Sequence, residues 1–127
     1  MRLNRGAVVT ASVGDPAGKP RPFVVLRSDH FAEHAMVTLV AFTTTPNETP
    51  TMRVPVESSA DNGLRETSLA MIDRVTSVSR ERIGEVIGQL ADADLTAITH
   101  AVAVYLGIAD PLHRGPRRKR AGLGTRR

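Results

Sequence analysis

Met36-Val37-Thr38-Leu39-Val40-Ala41-Phe42 is an apolar run of strand length, closed by the polar stretch Thr43-Thr44-Thr45-Pro46-Asn47-Glu48. A run this short and this rich in β-branched residues predicts a buried central strand rather than a core helix. Upstream, Phe23-Val24-Val25-Leu26 repeats the pattern, and residues 5–13 form a further β-branched stretch that ends in the turn-forming loop Gly14-Asp15-Pro16-Ala17-Gly18-Lys19-Pro20. Between the two apolar runs, Ser28 or Asp29 can cap a helical turn reaching His34. Downstream, Met52, Val54 and Val56 alternate with Arg53, Pro55 and Glu57, a half-exposed strand whose proline favours a sheet edge. A turn at Asp61-Asn62-Gly63 leads to a strand from Thr67 to Ile72, which Val75 and Val78 extend or kink. Another strand follows from Arg82 to Leu90, where Gly84 and Gly88 invite bends. Only then does helical periodicity appear: Leu95, Ile98, Val102, Tyr105 and Leu106 recur on one face, with Asp92 or Asp94 as the expected cap. Short strands followed by one helix predict a mainly β (α+β) fold, a small antiparallel barrel or curled sheet with the C-terminal helix packed on it.

The chain of 127 residues holds one domain by length. It has no cysteine, so thiol chemistry, disulfides and thiolate metal sites are excluded, and a reducing cytoplasm is the expected location. No apolar run approaches the roughly 20 residues that cross a bilayer, and the N-terminus lacks the apolar stretch of a signal peptide. Charge is divided unevenly. Residues 1–110 carry 10 Lys and Arg against 13 Asp and Glu, whereas residues 111–127 carry 7 basic and no acidic groups. The expected organisation is a folded domain over 1–110 and a basic, disordered tail over 111–127, either a polyanion-binding arm or a solvated extension. Aromatics are limited to Phe23, Phe31, Phe42 and Tyr105, which disfavours a multi-ring stacking platform for nucleic acid.

Phosphate-loop, nucleophile-elbow and paired-histidine metal motifs are absent. His30 and His34 are four residues apart near Glu33, yet a metal site needs a third ligand, and they read as exposed polar residues. The chemistry that remains lies at strand ends. Arg21 stands where the Gly/Pro loop meets a buried strand, and Pro22 sets the chain direction behind it. Thr43, Thr44 and Thr45 follow directly on the central strand, so a hydroxyl can project from a fixed base. A guanidinium and a hydroxyl converging in this way can hold a phosphodiester and stabilise a phosphorane. The alternative is a salt-bridged Arg21 beside ordinary strand-end threonines.

The order of these features resembles the MazF/PemK family of toxin endoribonucleases. The resemblance runs through Arg5-Gly6, Arg21-Pro22-Phe23-Val24-Val25-Leu26 with Ser28-Asp29, and Leu39-Val40-Ala41-Phe42-Thr43-Thr44. It continues through Leu64-Arg65-Glu66-Thr67-Ser68-Leu69-Ala70-Met71-Ile72-Asp73-Arg74-Val75, then Arg82-Ile83-Gly84-Glu85-Val86-Ile87-Gly88-Gln89-Leu90 and the helix to Leu106-Gly107. It implies an SH3-like barrel and a homodimer neutralised by a cognate antitoxin protein. It also implies cleavage of single-stranded RNA without metal or cofactor, through attack of the 2′-OH to leave a 2′,3′-cyclic phosphate. Arg21 matches the catalytic arginine and Thr43 the catalytic threonine or serine, while Lys19, Thr44 and Asp73 match positions that touch RNA. The chain departs from the family pattern at Ala7 and Val9, where an acidic and an aromatic residue are usual, and at Arg74, where glutamine is expected. A sister branch, the CcdB-like toxins that bind DNA gyrase and cleave nothing, uses a Trp-Gly-Ile near its C-terminus; here Leu106-Gly107-Ile108 stands in that place, without the aromatic hot spot.

Overall fold

The computed structural model describes residues 2–14, 18–45 and 52–111; the basic tail from Leu112 onward, expected to be disordered, lies outside the described residues. Six strands and one helix follow in order: β1 (Ala7–Ala11), β2 (Arg21–Val25), β3 (Met36–Thr43), β4 (Arg53–Val56), β5 (Ser68–Ser79), β6 (Ile83–Gln89) and α1 (Asp92–Tyr105). They form one antiparallel sheet in the order β4-β5-β3-β2-β1-β6. The central apolar run is β3, paired on one side with β2 and on the other with β5.

Its nearly continuous hydrophobicity, interrupted at the half-buried Thr38, follows from cover on both faces. Alternation sends Val37, Leu39 and Ala41 into one core with Ala7, Val9, Ala11, Phe23 and Val25, closed by Leu3, Val78 and Ile83. Val40 and Phe42 enter a second core with Val8, Val24, Ala70 and Ile72, closed by Leu64, Leu90 and the helix residues Ile98 and Val102. A strand buried on both sides has no position where a polar residue is favoured, which is the pattern usual in sheets covered on both faces.

β4 is an edge strand with Pro55 exposed, as its sequence predicts. β5 is one strand from Ser68 to Ser79, and the kink expected near Val75 is a break in pairing: the partner of Phe42 is Ala70, whereas that of Val40 is Val75. Residues 71–74 therefore bulge opposite Ala41. The pairing of β6 with β1 also shifts twice, on either side of Val86.

Two expectations are corrected. Neither Asp92 nor Asp94 caps α1: the N-cap is Ala91, with no side-chain hydrogen bond, and both aspartates lie in the first turn. There they still favour the positive end of the helix dipole. The apolar face of the helix is also shorter than its periodicity suggests, since Tyr105 and Leu106 are exposed and only Ile98 and Val102 are fully buried. α1 packs on β5 and on the edge strand β4.

The turn between β4 and β5 brings the two ends of the sheet together. Asn62 is buried, accepts from the amides of Ser59 at 3.0 Å and Leu64 at 2.9 Å, and donates to the Glu57 carbonyl at 2.9 Å. The turn lies on β6: the Gln89 amide donates to the Asp61 carbonyl at 2.8 Å. A Cβ on Gly88 would stand 2.3 Å from the Asn62 carbonyl carbon, and one on Gly63 2.2 Å from the Ile87 oxygen. Glycine at 88 thus permits backbone against backbone, a closer demand than a bend.

Candidate functional site

Arg21 opens β2 and Thr43 ends β3, and the antiparallel register that pairs Phe23 with Ala41 brings both to the same end of the two strands, each two residues beyond that pair. Both follow the alternation of the first core, two residues from Phe23 and Ala41, so they share a face at one rim of the sheet. Arg21 is exposed and Thr43 half-buried. The Thr43 hydroxyl oxygen accepts from the Thr45 amide at 3.2 Å. That bond occupies a lone pair and leaves the hydroxyl proton free to be donated.

Lys19 and Thr44 stand at the same rim on the opposite face. They line a cleft of about 750 Å³ that continues the second core outward. Its inner wall is Thr10, Pro22 and Ser68, each two residues from a member of that core (Val8, Val24 and Ala70). The other walls come from the β4–β5 connection, with Leu64, Arg65 and Glu66, and from β6, with Glu85 and Ile87. Because Arg21 adjoins Pro22 and Thr43 adjoins Thr44, the arginine–threonine pair and the cleft are two faces of one rim.

Asp73 stands apart from the cleft. It lies in the bulged part of β5, and its carboxylate is held by the Arg53 guanidinium at 2.8 Å. The Arg53 side chain is only 5% exposed; it also donates to its neighbour's Met52 carbonyl at 2.9 Å, and its Nε has no hydrogen-bond partner. Asp73 thus meets any ligand as half of an ion pair. Sequence reading missed Arg53, because only the register of β4 on β5, with Arg53 opposite Met71, reveals its partner.

A second arginine outside the site holds the scaffold together. The Arg5 amide donates to the Asp29 carboxylate at 2.6 Å; its guanidinium donates to the Leu26 carbonyl and, at 2.5 Å, to the Thr99 hydroxyl of α1. At the far end of β2, Arg27 is 9% exposed and donates to the Leu3 carbonyl at 2.8 Å. Burial, and then repulsion from Arg80, lowers its pKa from the usual arginine value.

The histidines expected to be surface residues are so placed. His30 and His34 are exposed; His30 meets Phe31 edge to face, and the Nδ1 of His34 accepts from the Met36 amide at 3.3 Å. Among the described residues no group of three or more His, Asp or Glu is placed to hold a metal ion, and no helix is long and apolar enough to cross a membrane.

Comparison with known proteins places this geometry in a family. Residues 4–106 match the PemK-like, MazF-like toxins of type II toxin–antitoxin systems. The chain is 39% identical over 108 residues, 84% of its own length and 99% of its relative's, to a probable endoribonuclease MazF from Mycolicibacterium smegmatis. Among solved structures it resembles a mycobacterial endoribonuclease in complex with its cognate antitoxin, with a TM-score of 0.69, 26% identity, and coverage of 85% of this chain and 98% of that one. It likewise resembles the Mycobacterium tuberculosis toxin MazF-mt6, with a TM-score of 0.67, 26% identity, and coverage of 81% and 98%. The sheet order, the C-terminal helix and a match over most of the chain agree: this protein belongs to the PemK-like, MazF-like toxin family.

Proposed function

We propose that the protein is the endoribonuclease toxin of a toxin–antitoxin pair, cleaving single-stranded RNA at the rim formed by Arg21 and Thr43 without a metal ion. The observation that carries this reading is the β2–β3 register, which leads a guanidinium and a hydroxyl to the same end and face of adjacent strands. Support for the substrate class comes from the relatives named as endoribonucleases, and support for the antitoxin from the solved complex with one.

In the proposed reaction the 2′-oxygen of the RNA forms a bond to the adjacent phosphorus and the bond from phosphorus to the 5′-oxygen breaks. The products are a 2′,3′-cyclic phosphate and a 5′-hydroxyl. The 2′-OH gives up its proton to solvent water, and the leaving oxygen gains one from Arg21, which solvent then reprotonates. Arginine stays protonated near neutral pH, which disqualifies it as the base. Its part is to bind two non-bridging oxygens through its planar fork as negative charge builds on them, and to supply the proton to the departing oxygen. Thr43, its oxygen already accepting the Thr45 amide, donates its hydroxyl proton to the phosphate and fixes its orientation. RNA carries its own nucleophile, so the residues named here need no metal-bound water.

The same reading takes the protein as a homodimer. Val86, Tyr105, Leu106 and Ile108 are large apolar residues exposed on the single chain. A small domain gains stability by covering such surface across a two-fold axis.

The test is cleavage of single-stranded RNA with EDTA present, by the parent protein and by Arg21→Ala. The parent cleaves; removal of one transition-state donor lowers kcat by about 10²–10³ while the fold persists. A folded Arg21→Ala protein that cleaves at the parental rate would remove Arg21 from the mechanism.

A further inference from the structure

The cleft behind the rim is lined by charged side chains of both signs and by apolar surface. Lys19 and Arg65 are its cations, Glu66 and Glu85 its anions, and among the described residues none of the four side chains forms an ion pair or a hydrogen bond. With two cations and two carboxylates the cleft has no excess of positive charge to favour a phosphate. The polar groups of the inner wall are partly engaged within the protein: the Thr10 hydroxyl accepts from the Glu85 amide at 3.0 Å, and the Ser68 hydroxyl donates to the Glu66 carbonyl at 2.9 Å. The outer walls carry charge of both signs, with Pro22, Leu64 and Ile87 as apolar surface beside it.

We propose that this cleft receives the nucleobase next to the scissile phosphate, and that Arg65 and Glu85 select guanine there. The proposal rests on the endoribonuclease reading above. Pro22 and Thr44 of the cleft are chain neighbours of Arg21 and Thr43, so an RNA strand whose phosphate sits on the rim drops an adjoining base over its edge. Guanine alone among the four bases offers two acceptors, O6 and N7, on one edge and two donors, N1–H and N2–H₂, on another. A guanidinium binds the first pair bidentately. A carboxylate, which only accepts, matches the second pair. Uracil offers Glu85 a single N–H, and adenine places an amino group where the arginine needs an oxygen. Arg65 comes from the β4–β5 connection and Glu85 from β6, elements held together by the contact of Asn62 with Gly88, so the two walls keep their spacing.

The experiment maps cut sites of the full-length protein, Glu85→Gln, Arg65→Ala and Arg21→Ala on a pool of random single-stranded RNA, then repeats the favoured substrate with inosine for guanine. Glutamine is isosteric with glutamate and both positions are exposed, so folding is kept and is checked by thermal melting. The expected result is guanine at one position flanking the parental cut. Glu85→Gln and Arg65→Ala each reduce that preference roughly 5- to 150-fold, the value of one bidentate base contact. Inosine, which lacks the N2 amine, is cut more slowly by the parent and with no such penalty by Glu85→Gln.

An identical base preference in the parent and both cleft variants would overturn the proposal while the parent's own cleavage upheld the nuclease. A parent that does not cut RNA at all, like Arg21→Ala, would overturn the endoribonuclease reading itself. Unchanged base preference combined with weakened inhibition by the antitoxin would also overturn the guanine proposal, by giving the cleft to a peptide.

Discussion

In the proposed reaction Arg21 and Thr43 do different work, and conservative replacements separate the two. Arg21→Lys keeps the charge but loses the planar fork that meets two phosphate oxygens at once. Its expected activity lies between those of the parent and Arg21→Ala, with kcat rather than KM carrying the loss, because the second hydrogen bond strengthens as charge develops. Equal rates for lysine and arginine would mean that only a point charge is used. Thr43→Ser retains the hydroxyl and should retain most activity, whereas Thr43→Val keeps shape without a donor and should lose about 10- to 100-fold. Arg53 calls for a measurement of stability instead. Arg53→Met removes the guanidinium that holds Asp73, a side chain still 35% exposed, so the loss is expected at about 1–2 kcal/mol rather than the larger cost of a wholly buried pair. Denaturant unfolding with no change in midpoint would show the ion pair to be neutral. Arg21 and Thr43 were legible as candidates because a Gly/Pro loop and a polar triplet mark the strand ends in the sequence. The ion pair of Asp73 was not, since a residue 20 positions away becomes its neighbour only through strand register.

The strands were readable from β-branched runs because burial on two faces leaves a continuous apolar signature, and β2 and β3 lie where those runs lie. Helix α1 was legible from its 3.6-residue period, but the extent of its buried face depends on the distant strands it packs against, which no local pattern records. The bulge in β5 and the seat of the 61–63 turn on β6 were equally hidden, being contacts between elements far apart in the chain. Glycine 88 carries the most exacting of these contacts. A methyl group there would stand 2.5 Å from two carbonyl oxygens, Asn62 O and Asp61 O, and backbone cannot move aside as a flexible side chain can. Gly88→Ala should therefore cost about 1–3 kcal/mol, more than the propensity of the residue in a strand would suggest. Gly84→Ala is the milder comparison, because its nearest neighbour, at 2.7 Å, is the Thr10 side-chain hydroxyl, which can turn aside at the cost of its bond from the Glu85 amide. Similar destabilisation of both would argue that the turn is not seated on β6. In cleavage assays Gly88→Ala should also blur the choice of bases, since the same contact spaces the two walls of the cleft.

On the scale of the whole molecule the dominant feature is the separation of charge. Through residue 110 the chain is net −3, and the seven charges after it are all positive. An acidic domain repels the backbone of RNA outside the rim, so long-range attraction has to come from the C-terminal segment. We expect that segment to raise affinity without choosing sequence, because lysine and arginine that neutralise phosphates displace counterions irrespective of the bases. For a single strand, log K falls with log salt by roughly 0.7 per phosphate contact, so three or four contacts from the seven cations steepen the slope by roughly 2–3. A chain ending at Asp110 should therefore bind RNA more weakly at low salt and show the shallower slope, the difference fading as salt rises. It should still cut at the same positions, since the rim and the cleft lie wholly within the domain. Binding of a labelled RNA at several salt concentrations, together with cut-site mapping of both chains, gives the two readouts. Equal slopes would mean that the cations make no phosphate contacts. A shifted cut pattern would mean that they reach the bases, and that the tail contributes to the choice assigned here to Arg65 and Glu85.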